Sequence, residues 1–204
     1  IQSISILSLG IVLATGNTGC KKDFTNPSAA TSDQVLSSAK GLAGTAVGLQ
    51  RVYANNVAYG FYDANGLVTN ETILMNAGNT SEFQFSTGGT AVDGTNALLG
   101  NVWSSASKVI YDANNVINGA ANVTDRGYAS GLIGYATIYK ASSMGVMAQF
   151  WEKVPDTIGV NAPTFSDRSV GYARAIAAID KAIAAINANP IPATFYADVP
   201  AGVD

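Results

Sequence analysis

The chain has no histidine and a single cysteine, Cys20. Without histidine it lacks the commonest general base and metal ligand, so Ser-His-Asp and Cys-His arrangements, zinc clusters and HExxH are excluded within it. One cysteine rules out an intrachain disulfide. Charge is scarce too: 12% of residues are charged, the net charge is −3, and the longest basic run is Lys21-Lys22. Nucleic-acid binding needs clustered cations to displace phosphate counterions, which disfavours that partner. The only glutamates are Glu71, Glu82 and Glu152, and no spacing pairs two of them for glycoside hydrolysis. Two S-x-x-K strings, Ser37 to Lys40 and Ser105 to Lys108, lack the S-D-N and K-T-G partners of a penicilloyl-serine site. Asp63-Ala64-Asn65-Gly66 opens like a calcium loop, but the remaining ligands and terminal Glu are missing. Gly41, Gly44 and Gly48 have the wrong spacing for a phosphate loop, and no strand precedes them. The expectation is a protein that is not an enzyme, with no cofactor and no metal.

What is present begins with an uncharged start. Of 204 residues, 48% are hydrophobic, enough for one domain with a sizeable core. Ile4 to Ala14 is an apolar run of signal-peptide length, too short to span a bilayer, and it breaks into Thr15-Gly16-Asn17-Thr18-Gly19. Residues 1–19 therefore read as a signal peptide. Gly19-Cys20 resembles the end of a bacterial lipobox, with Asn17 standing where an apolar residue is usual. Cys20 becomes the expected lipidation site, and residues 20–31, with Pro27, a tether.

Helical spacing dominates the rest. Thr31 or Ser32 is a candidate N-cap for a helix through Val35, Ala39, Leu42, Ala46, Leu49 and Tyr53. Residues 55–94 carry glycines, asparagines and aromatics and read as loops, with a short strand at Glu82 to Ser86. Leu99 to Ala120 forms an unbroken apolar stripe through Val102, Trp103, Val109, Ile110 and Val116. Gly127 to Trp151 forms another, and Lys140 at its centre marks it as a core helix, not a membrane span. Ser166 is expected to cap a helix in which Tyr172, Ile176, Ile179, Ile183 and Ile186 repeat, stopped by Pro190 and Pro192. The fold class is all-α, with the last three helices suited to tetratricopeptide-like pairing and a long irregular loop region before them.

In this order the residues resemble a family. Cys20-Lys21-Lys22-Asp23-Phe24, then a proline and a long helix ending near Tyr53, is similar to the start of mature SusD/RagB lipoproteins. Trp103 with Tyr111-Asp112-Ala113-Asn114-Asn115-Val116-Ile117 resembles that family's W…Y…AN-x-hydrophobic helix. Tyr139-Lys140-Ala141, Met144-Gly145 and Phe150-Trp151-Glu152-Lys153-Val154-Pro155 look like the next helix and its exit, and Tyr172 to Ile186 like the one after. The chain departs from the family in being rich in Ala and Gly where other members carry Arg and Leu in the third helix.

The resemblance implies a lipid-anchored protein on the exterior of the cell outer membrane. It would bind an oligosaccharide or peptide and pass it to a SusC-like TonB-dependent barrel. It also implies that residues 32–204 are the N-terminal part of a longer SusD-like domain. The alternative is a secreted helical-repeat scaffold that binds a protein partner. Sugar sites combine aromatic faces with Asn, Asp and Glu hydrogen bonds, so Phe61, Tyr62, Asn70, Glu71, Phe83 and Phe85 are the candidate ligand contacts. Trp103 and Trp151 read as core or interface. Asp156-Thr157-Ile158 resembles a short sequon glycosylated on exported bacterial proteins, which makes Thr157 a candidate for O-glycosylation.

Overall fold

A computed structural model describes residues 31–200. Cys20, the expected signal peptide and nearly all of the expected tether lie outside the described residues. Where one long helix was expected after Ser32 there are two, α1 (Ser32–Leu36) and α2 (Ala39–Val52). Ser38 makes the corner: its hydroxyl accepts from the Gly41 N–H at 3.1 Å. A Cβ on Gly41 would collide with the Val35 carbonyl oxygen, so only glycine allows α1 to close on α2.

The stretch expected to be irregular is largely helical. A six-residue π-helical turn, Tyr53–Ala58, carries α2 directly into α3 (Tyr59–Thr69). Val57, Ala64 and Leu67 turn inward, and their burial outweighs the poor helix propensity of the Asn and Gly residues around them. Asn70, in the left-handed conformation at φ 60°, ends the helix.

The expected strand at Glu82 to Ser86 is instead helix α4 (Thr80–Thr87). Asn79 caps its start through the Glu82 N–H, and Gly88, at φ 73°, ends it. Residues two apart on a helix are rotated by roughly 200°, so Phe83 and Phe85 face opposite sides in helix and strand alike. The alternation alone could not separate the two.

The central layer matches the periodicity. Helix α5 (Ala97–Ala120) buries Val102, Ala106, Val109, Ile110, Ala113, Val116 and Ala120. Its N-cap, Asn96, is buried and does double duty. The side-chain carbonyl accepts from the Leu98 and Leu99 N–H groups at 3.0 and 3.1 Å. The amide donates to the Ser81 carbonyl and Gln84 at 3.1 and 2.7 Å, tying α4 to α5. Helix α6 (Arg126–Phe150), capped by Asp125, packs against α2, α5 and α7. The glycine-richness of α6 has a packing cause: a Cβ on Gly131 would lie 2.7 Å from the Phe195 ring, and one on Gly134 2.9 Å from the Ile186 side chain.

A two-stranded antiparallel hairpin follows, β1 (Lys153–Pro155) and β2 (Phe165–Asp167), with Val154 opposite Ser166. Ser166 therefore lies in a strand and does not cap the next helix. Helix α7 (Arg168–Ala188) starts after Asp167, which makes no side-chain cap. The short α8 (Ala193–Tyr196) tucks Phe195 into the core.

The isoleucine repeat of α7 does not face the core either. Gly171, Ala175 and Ala182 are its buried residues, while Tyr172, Ile176, Ile179 and Ile183 are exposed. Small side chains let α7 approach α6 closely; of the larger ones Ile186 is half-buried against Gly134, and the other four lie outside. Among the described residues no helix is long and apolar enough to cross a membrane.

Candidate functional site

The six candidate ligand contacts separate by burial. Tyr62 on α3 is 70% exposed and Phe83 on α4 about half exposed. Asn70 and Glu71 are exposed in the turn that closes α3. Phe61 is half-buried, its ring edge-to-face with Phe150 at 5.8 Å. Phe85 is 5% exposed and packs with Ala64 and Leu67, so it fastens α4 to α3 and offers no face to a ligand. That corrects its placement among the ligand contacts.

The rings form a continuous band. From Tyr62 it runs to Phe61 at 5.4 Å, Phe150 at 5.8 Å, Trp151 at 5.7 Å, Trp103 at 4.9 Å and Phe165 at 6.5 Å. Both ends reach solvent, Tyr62 at 70% and Phe165 at 50%. Tyr59, one helical turn before Tyr62, adds a further ring at 62% exposure. The interior members are half-buried and meet edge-to-face, a favoured ring geometry. Phe165 escaped the sequence reading because only the hairpin brings it beside Trp103. Asp63, next to Tyr62, has one carboxylate oxygen buried without a hydrogen-bond partner, and burial raises its pKa. It lies in mid-helix, so the 63–66 string forms no calcium loop, and no group of metal ligands occurs among the described residues.

Thr157 is exposed in the bend of the hairpin. Its neighbour Asp156 is the hub of that bend. Its carboxylate accepts from the Ser166 and Thr164 hydroxyls and the Arg174 guanidinium, each at 2.5 Å. Those donors favour the charged form and pull its pKa down from 3.8 to about 2, Ser166 contributing most.

Beneath the bend lies a cavity of about 350 Å³ between α5, α6 and α7. Helical spacing explains its lining: Ile110, Asn114 and Ile117 from α5, and Ile133, Thr137, Lys140, Met144 and Met147 from α6, fall on single stripes. Arg174 and Lys181 enter from α7, and the cavity also touches Asp156 and Thr157. Burial lowers the pKa of Lys140, and the charge of Lys181 lowers it further. Lys140 stood out in the sequence as a lone charge on an apolar stripe, but its company could not be read there, since Lys181 is 41 positions away.

No family model, no curated protein and no solved structure matches this chain.

Proposed function

We propose that this chain is the N-terminal part of a SusD/RagB-like surface lipoprotein. In this reading it captures an oligosaccharide or other nutrient and hands it to a TonB-dependent outer-membrane barrel, without catalysing a reaction. The observation that carries the reading is the aromatic band. Its exposed end on α3 presents Tyr59 and Tyr62 with Asn70 and Glu71 exposed in the following turn, the combination of ring faces and hydrogen-bonding groups that sugars require. Three of the residues behind the family resemblance, Trp103, Phe150 and Trp151, also build the middle of the band. A lipid anchor at Cys20 and glycosylation at Thr157 belong to the same reading.

Purification of the native protein from the outer-membrane fraction tests it. The expected result is a protein acylated at Cys20, lacking residues 1–19 and accompanied by a TonB-dependent barrel. A mature protein that retains residues 1–19, or one free of membrane and barrel, contradicts the reading. A scaffold that binds a protein partner is the second reading, favoured by one observation: the exposed stripe of Tyr172, Ile176, Ile179 and Ile183 on α7.

A further inference from the structure

The cavity between α5, α6 and α7 holds charge that the protein itself does not neutralise. Of its three cations, Arg174 is paired with Asp156. Lys140 and Lys181 have neither an ion-pair nor a hydrogen-bond partner among the described residues. Lys140 is half-buried in the middle of α6, where α7 brings a second ammonium close enough to act on it. Two like charges at a partly dehydrated wall are a standing cost, which a bound anion removes. Asn114, Thr137, Asp156 and Thr157 add polar groups, and most of the remaining wall is apolar, including Ile110, Ile117 and Met144. A bare hydrated ion gains nothing from such a surface, whereas a carbon skeleton does. At about 350 Å³ the space lies within the range of small-molecule sites, which begins at roughly 300 Å³.

We infer that this cavity binds a small organic carboxylate, its anionic group held between Lys140 and Lys181 and its apolar body against Ile110, Ile117 and Met144. The site is separate from the aromatic band and does not depend on the nutrient-capture reading. The lysines lie inside helices and present no ring of backbone N–H groups, so the arrangement suits a monoanion with an apolar tail better than a compact phosphate.

Calorimetric titration of the full chain with hexanoate, hexanol and inorganic phosphate tests the assignment. Hexanoate is expected to bind saturably, with hexanol and phosphate each weaker by about tenfold or more, the loss of one charge-assisted contact or of the apolar contact. Lys140→Met and Lys181→Met keep the aliphatic stems and should each weaken hexanoate roughly tenfold. Lys181 is exposed, so its variant remains informative if the Lys140 variant fails to fold. Absence of hexanoate binding overturns the inference. So does hexanol binding as tightly as hexanoate, which makes the cavity merely apolar, or phosphate binding as tightly, which makes it merely ionic. Hexanoate affinity unchanged in both lysine variants places the acid elsewhere and overturns it too.

Discussion

Asp156 shows how much one side chain can organise here, and how little of that is visible in the string Asp156-Thr157-Ile158. Its three donors come from positions 164, 166 and 174, brought together only when the hairpin folds back on α7. Because its folded pKa of about 2 lies below the ordinary 3.8, its carboxylate stabilises the folded state fully above 3.8. That contribution is lost as pH falls through about 2. The prediction is therefore a pH-dependent difference between the protein and Asp156→Asn. Hydrogen exchange of the Arg168 amide, which donates to the Glu152 carbonyl across the hairpin, reads it. Protection should be weaker in Asp156→Asn at pH 6, with the gap closing toward pH 2. Equal protection at pH 6 would remove Asp156 from its role as hub.

At the scale of elements, the sequence was most legible where a stripe was long and consistent. Helix α5 buries Val102, Val109, Ile110 and Val116 of the positions its periodicity marks and half-buries Leu99 and Trp103, and α6 runs within a residue of its expected limits. The misreadings have separate causes. Five residues around Phe83 and Phe85 are too few to separate a period of 2 from one of 3.6. The glycines and asparagines of α3 argue for loop, yet Gly60 is there to admit Val102 and Gly66 to admit Thr72. In α7 the apolar stripe is genuine, but the buried residues are Gly171, Ala175 and Ala182, and of the stripe Ile186 packs against Gly134 of α6.

Thermal denaturation separates the two kinds of apolar residue. Phe85→Ala should cost about 3–5 kcal/mol, as a buried aromatic lost from a packed cluster. Ile176→Gln on the outer face of α7 should change stability by no more than about 0.5 kcal/mol. An equally large loss for Ile176→Gln would mean that the α7 stripe is buried after all.

For the whole molecule, the all-α class was legible in the sequence and the architecture bears it out. The candidate site was legible only in part. Tyr62, Phe83, Asn70 and Glu71 reach the surface, while Phe85 belongs to the core. The band joining Tyr62 to Phe165 and the cavity around Lys140 both depend on contacts between distant elements, which no local pattern encodes. Residues 1–19 and Cys20 carry the expectation of export, and the aromatic band carries that of ligand capture. The two are tested apart, and capture is the central claim. Its most direct measurement is the affinity of the protein and its Tyr62→Ala variant for the oligosaccharides of a glycan array, with the melting temperature of each recorded alongside. The account predicts that at least one glycan binds, and that Tyr62→Ala weakens it severalfold, the equivalent of about 1 kcal/mol of aromatic stacking, with no change in melting temperature. Binding that is indifferent to Tyr62→Ala, or no binding to any glycan, would contradict it.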